Sequence, residues 1–233
     1  MYAVIFEVKP KPERFDEYLD LARLLKPDLE NIQGFIDIER FGSKPAEGLV
    51  LSLSIWADEK AVVRWRTFGL HHEVQKKGRS EIFENYHLRV GGIAMDTNIP
   101  PGQTPRDERF DETEVGDAKV VTITEAMAEG KTSGQERLNR LPVPEPGSNG
   151  VVDKQIFESI YNPGKFLLLV SWRDNAAAAA WESRGIGSVA GMRYRRVHIV
   201  RDYGMFDRRE APQYYPAVER HGPQISTGNI HKP

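Results

Sequence analysis

The sequence predicts an α+β protein in which two successive β-α-β-β-α-β units close into one intramolecular barrel. Three observations predict it. The chain matches itself at a spacing of 116 residues; the first copy alternates strand-like and helix-like apolar patterns in the order β-α-β-β-α-β; and both copies run a strand ending in Trp into an acid-led helix, "SIWADEKAVVRW" and "VSWRDNAAAAAW". Sliding by 116 positions sets Trp56 on Trp172, Trp65 on Trp181, Gly34 on Gly150, Asp58 on Asp174, Phe41 on Phe157, Leu51 on Leu167 and Leu53 on Leu169. A period this long means two copies of a small domain, because solenoid repeats run to roughly 20–50 residues.

The elements of the first copy follow in order. "YAVIFEV" is β-branched and aromatic and reads as a strand, stopped by Pro10 and Pro12. Phe15, Tyr18, Leu19, Ala22, Leu25 and Leu29 then recur at helical spacing between charged residues. Gly34 follows a turn into a second strand, "FIDIERF", and "LVLSLSIW" is a third. Asp58 stands where a helix N-cap belongs, ahead of "EKAVVRWRTF", and the five alanines at 176–180 serve the same helix in the second copy. "ENYHLRVGG" closes the unit as a fourth strand. The order is the split βαβ arrangement called ferredoxin-like, which leaves one sheet face bare. The second copy is the natural cover. The expected divisions are a first unit at 1–95, an exposed connector at 96–117, a second, diverged unit at 118–206, and a mobile or wrapping tail at 207–233.

Composition narrows the function. The 233 residues are 39% hydrophobic and 28% charged with a net charge of -2, which describes a folded chain with no general attraction to nucleic acid or anionic lipid. No apolar run approaches the ~20 residues of a membrane span, and the N-terminus turns charged too early for a signal peptide, so the cytoplasm is the expected compartment. With no cysteine there is no disulfide, thiolate metal site or cysteine nucleophile. "HHE" lacks the second histidine of a zinc helix and no other grouping has ligand spacing, so no metal is expected. "RYRRVHIVR" at 193–201 reads as a strand with charged outward positions.

"GFIDIERF", "SIWADEKAVVRW" and "HHEVQKKGRSEIFENYHLRV" resemble the antibiotic biosynthesis monooxygenase family of dimeric α+β barrels, well over 2–94 and more weakly over 118–203. The resemblance implies a fused pseudo-dimer, monomeric or pairing again as a homodimer. Trp56 falls where cofactor-independent oxygenases of that family carry a functional tryptophan, and Ser52 replaces their asparagine. Trp65 matches a tryptophan of heme-degrading relatives, but the asparagine those enzymes need is missing from the first strand, which disfavours heme turnover.

Alternation along the third strand puts Leu49, Leu51, Leu53 and Ile55 on one face, expected under the helices, and Val50, Ser52, Ser54 and Trp56 on the other, expected to look into the barrel. The second copy offers Leu168, Val170 and Trp172 there, an apolar wall. The expected catalytic set is Trp56, Ser52, His72 and Arg89, with Trp65, His71, Tyr86, His87 and Trp172 binding substrate. Only one of His71 and His72 is expected to face the site, His87 and Arg89 are expected to point inward, and Arg79 is expected in a structural ion pair. These residues suit an oxygenase without a cofactor, whose partners are O₂ and a small hydrophobic, aromatic or polyketide-like molecule. The alternatives are a non-enzymatic small-molecule-binding or stress-response barrel and a heme-binding protein.

Overall fold

The computed structural model describes residues 1–105, 111–185 and 189–219. Part of the expected connector, 106–110, and most of the expected tail, 220–233, lie outside the described residues. The first half runs β1 (Tyr2–Pro10), α1 (Phe15–Glu30), β2 (Phe35–Ser43), β3 (Val50–Trp56), α2 (Glu59–Arg66), α3 (Gly69–Lys77) and β4 (Phe83–Asp96). The second runs β5 (Val120–Ala126), α4 (Gly134–Asn139), β6 (Val151–Ser159), β7 (Phe166–Trp172), α5 (Asn175–Glu182) and β8 (Met192–Gly204). The eight strands close into one antiparallel barrel in the order β1-β3-β2-β6-β7-β5-β8-β4. Its two seams join the halves: β4 pairs with β8 from His87–Gly204 to Asp96–Arg195, and β2 pairs with β6 over Phe41–Ser159 to Ser43–Phe157.

Equivalent residues do equivalent work. Asp58 and Asp174 both sit in extended conformation and accept the N–H of the residue three positions on, Ala61 and Ala177, each at 2.8 Å. Gly34 (φ +92°) and Gly150 (φ +79°) take a left-handed backbone that favours glycine. A Cβ at Gly34 would stand 2.7 Å from the Ala61 Cβ, and one at Gly150 2.4 Å from that of Ala177. These two contacts dock α2 and α5 on their sheets at a separation no larger pair would allow.

The barrel interior is solid. Ala3, Ile5, Phe41, Leu51, Leu53 and Ile55 meet Val121, Ile123, Phe157, Leu167, Leu169, Val197 and Ile199 in one apolar cluster. Eight strands leave a bore just wide enough for side chains to fill. The expectation that Leu51, Leu53 and Ile55 pack under the helices is therefore reversed: they fill the bore, and Ser52, Ser54 and Trp56 face outward to α1–α3. The sequence showed two faces but not which of them the other half would cover.

Ion pairs join the charged groups around this plug. Arg89 pairs with Glu7 and donates to Ser171 Oγ at 2.7 Å, while His87 Nε2 meets Asp202 at 2.6 Å. The stretch 193–201 is a strand as expected, but its charges do not all point outward: Arg195 is almost wholly buried and bonds Glu125 at 2.9 Å, with Asp96 at 3.6 Å. Burial pushes the Glu125 carboxyl up, but Arg195 and Lys165 outweigh it and the net displacement is downward.

Two further expectations change. A break at Thr67–Phe68 splits the second helical region into α2 and α3. The connector is not exposed throughout: Asp96 and Thr113 are buried, and the Glu210 carboxylate accepts from Thr113 Oγ1 (2.7 Å), Glu114 N (2.7 Å) and Asp202 N (2.6 Å).

Candidate active site

The halves differ most in their helices. In the second, α4 is six residues long, and Val120, Leu168, Val170, Trp172, Trp181 and Tyr194 pack into one cluster beneath α4 and α5. In the first, α1 is sixteen residues and α2 and α3 lie beside it, and between these helices and the outer sheet face is a cavity of about 210 Å³. It is below the usual ~300–1,000 Å³ of drug-sized sites, so it suits one small molecule.

The ladder registers give its floor. Paired residues share a face, so one row crosses the sheet as Arg40, Ser52, Phe6, Leu88 and Tyr203, and the next as Ile38, Ser54, Val4, Val90 and Arg201. Five strands contribute, and at ~4.8 Å per strand each row spans roughly 19 Å. The last member of each row stands on β8, so the second half completes the floor. Trp56 Nε1 donates to Ser54 Oγ at 2.9 Å, fixing the indole, and Phe35 packs edge-on against it at 5.4 Å. Ser52 Oγ has no partner among the described residues.

The roof carries the titratable group. His71 stacks on Trp65 with ring centroids 4.1 Å apart and 14° between planes, and its Nδ1 lies 2.8 Å from the Trp65 carbonyl. A carbonyl only accepts, so Nδ1 carries the proton and Nε2 keeps its lone pair. Burial pushes the imidazole down to about 4, so it is neutral at physiological pH. The Gln75 amide nitrogen is 3.4 Å from Nε2, and Gln75 Oε1 accepts from the Tyr215 hydroxyl at 2.8 Å.

Tyr215 belongs to a strap, 207–219, that returns across the first half. Gln213 donates to the Arg66 carbonyl at 3.1 Å, and Arg208 donates to Tyr86 Oη at 2.6 Å and to the Gln213 carbonyl at 2.9 Å. Arg79 donates to Tyr86 Oη (2.9 Å) and to the carbonyls of Met205 (3.0 Å) and Pro216 (3.3 Å). Arg79 is thus structural, though through neutral oxygens rather than the expected ion pair. Burial pushes the Tyr203 phenol up to about 12, so it stays a donor.

Of the expected residues, the cavity brings together Ser52, Trp56, Trp65, His71 and Tyr86. His72 is not among the lining residues and meets the cavity only through Tyr215, on which it stacks at 5.5 Å with Nδ1 3.3 Å from the hydroxyl. Arg89 and His87 do point inward, but inward is the barrel side, with the sheet between them and the cavity. Trp172 lies beneath α5, its Nε1 on Thr122 Oγ1 at 2.9 Å. Sequence reasoning missed Arg66, Arg201, Tyr203, Arg208 and Tyr215. Arg66 stands at the end of α2; the β4–β8 seam and the strap bring in the other four, and nothing local in "RDYGMFDRREAPQYY" announces which half it will serve.

Among the described lining residues are five arginines (Arg40, Arg66, Arg79, Arg201, Arg208) and one carboxylate, Glu59. The remainder is mainly apolar. Such a site can hold a hydrophobic body, keep water from it, offer a neutral imidazole as proton acceptor, and set positive charge against an anion.

The family model for antibiotic biosynthesis monooxygenase matches residues 1–77. The chain is 38% identical over 222 residues to a Pyricularia oryzae protein named Jasmonate monooxygenase ABM, covering 93% of this chain and 99% of that one. It is 30% identical over 92 residues to the uncharacterized protein YqjZ of Bacillus subtilis, covering 40% of this chain and 78% of the relative. Among solved structures, a putative monooxygenase from Lactobacillus acidophilus NCFM aligns over 86% of this chain and 94% of its own at 10% identity and a TM-score of 0.40. With a full-length relative at that level of identity, the chain belongs to the antibiotic biosynthesis monooxygenase family.

Proposed function

We propose that this chain is a monooxygenase acting on a small hydrophobic molecule, of polyketide-like or jasmonate-like size, in the cavity between the first-half sheet and α1–α3. The observation that carries the reading is the neutral His71 beside an apolar cavity with a cationic end, its Nε2 lone pair met by the Gln75 amide nitrogen only at a long 3.4 Å. Its support is the similarity to a full-length relative named for jasmonate oxidation.

The chemistry needs no resident cofactor when the substrate has an acidified C–H, next to a carbonyl or a phenolic ring. His71 Nε2 accepts that proton. The guanidinium end favours the resulting anion, and the apolar walls keep it from being reprotonated by water. The anion then reduces O₂. Where an activated methylene becomes a carbonyl, the carbon gives up four electrons; one oxygen atom ends in the new carbonyl and the other in water, with both hydrogens. No external reductant enters that balance.

The test is oxygen uptake by metal-stripped protein, without added reductant, on jasmonic acid and on an anthrone, with ¹⁸O₂ and mass spectrometry of the product. One labelled atom per product, lost in His71→Gln, is expected. No uptake and no labelled product with either substrate refutes the reading.

We also infer that residues 1–95 and 118–206 are diverged copies of one unit and that the chain works in the cytoplasm as a single-chain counterpart of a dimer. The matched Gly34–Ala61 and Gly150–Ala177 contacts support the first inference. Among the described residues no helix is long and apolar enough to cross a membrane.

A further inference from the structure

The cationic end of the cavity has a composition that the oxygenase reading does not use in full. Arg66 ends α2. Its Nε is buried without a hydrogen-bond partner, and its side chain makes no ion pair among the described residues. Arg66 is half-buried, and it is this one Nε donor that is shut off from water and unmet, which is costly for the group and calls for a specific explanation. Tyr203 lines the same cavity from β8, and the Arg66 charge acts on its phenol against the effect of burial. The Tyr203 hydroxyl likewise has no hydrogen-bond partner among the described residues. Arg208 lies over the Tyr203 ring, its guanidinium carbon 5.6 Å from the ring centroid, and Gln213 ties it to Arg66: the amide donates to the Arg66 carbonyl while the Gln213 carbonyl accepts from Arg208. Among the described residues neither Arg66 nor Arg208 meets a carboxylate.

We propose that this corner is a carboxylate subsite: Arg66 and the Tyr203 hydroxyl hydrogen-bond the carboxylate of a small hydrophobic acid, and Arg208 adds charge above it. The acid's apolar body extends along the floor over Leu88, Phe6 and Val4 toward Ser52. Arg66 offers a planar, permanently charged donor set, which suits a carboxylate better than a point charge would. At the other end of the same row Arg40 also has an unpartnered Nε, but its guanidinium already bonds Tyr18, whereas the Arg66 side chain has no hydrogen-bond partner among the described residues. Because Tyr203 comes from the second half and Arg208 from the strap, the subsite exists only when both are docked on the first half. The proposal rests on the reading that this cavity is the substrate site.

The experiment is a pair of titrations at pH 7, followed by calorimetry or tryptophan fluorescence: jasmonic acid against its methyl ester, and 4-phenylbutyrate against 4-phenylbutyramide. Each acid is expected to bind about thirtyfold or more tightly than its neutral partner, which is about 2 kcal/mol at 1.4 kcal/mol per tenfold. Arg66→Met removes that preference while leaving the ester's affinity unchanged, and Arg209→Gln, outside the cavity, changes neither. Should Arg66→Met fold poorly, the wild-type preference must still vanish as pH falls through the ligand's carboxyl range. Equal affinity for acid and neutral partner in both pairs, no binding of either acid, or an unchanged preference in folded Arg66→Met overturns the proposal. Oxygen consumption on a neutral substrate without acid preference would leave the oxygenase reading standing and this one fallen; acid-selective binding without oxygen consumption would do the reverse.

Discussion

Gly34→Ala tests how α2, which carries Trp65 and leads into His71, is held on the sheet. Two costs arise at this position. Alanine in a left-handed conformation, here φ +92°, loses roughly 1–2 kcal/mol relative to glycine. The new Cβ would also lie 2.7 Å from the Ala61 Cβ, and overpacking of this kind costs about 1–3 kcal/mol. Together they predict a loss of about 3 kcal/mol. Ala61→Gly alone should cost about 1 kcal/mol through helix propensity. In the double variant the next atom is the Ala57 Cβ at 3.6 Å, an ordinary contact, so the clash disappears while the backbone cost remains. The double variant should therefore lose about 1–3 kcal/mol less than the sum of the singles, a coupling that urea denaturation followed by tryptophan fluorescence can resolve. Strict additivity would show that the contact does not set the helix position. The same cycle at Gly150 and Ala177, where the approach is 2.4 Å, is expected to give the same sign.

Three other outcomes follow from the structure. His71 titrates near 4 in the fold against 6.5 when exposed, so the unfolded chain binds the extra proton first; its contribution is intact above pH 6.5 and shrinks as pH falls toward 4, by roughly 3 kcal/mol at 1.36 kcal/mol per unit. Denaturation at pH 7, 5 and 4 should show wild type losing more stability on acidification than His71→Gln, and parallel curves would contradict the assignment. Leu53→Ala and Ser52→Leu, adjacent in sequence, should behave oppositely: the first opens the barrel plug and costs about 2–5 kcal/mol with ligand affinity retained, whereas the second fills the cavity and abolishes binding, as denaturation and titration on both variants would show. Arg89→Met leaves Glu7 largely buried without its partner and should cost about 3–5 kcal/mol, most of it recovered by adding Glu7→Gln, read from denaturation midpoints.

Much of this molecule is legible in its sequence. The order of elements along the first copy, the Asp58 cap and the Gly34 turn follow from local chemistry, which a sequence states directly, and the 116-residue register points to their counterparts at Asp174 and Gly150. The two faces of β3 were legible as well, but their direction was not, because alternation separates Leu53 from Ser52 without saying which set meets the other half. That one inversion misplaced Arg89 and His87, which share the barrel side, and left Tyr86 on the productive side. Long-range closure accounts for the rest. Tyr203 reaches the cavity through a strand seam more than a hundred residues from its partner, and Tyr215 reaches it through the strap.

Having both halves on a single chain removes a constraint that binds any pair of identical subunits, in which every substitution is made twice and each protomer must keep its own site workable. Here α4 is six residues long, with indole and phenol rings filling the space beneath it, while α1 opposite runs to sixteen. The strap at 207–219, too, need satisfy only one half. Asymmetry of this kind lets one shell specialise as scaffold and the other as chamber, a division of labour that rotational symmetry forbids.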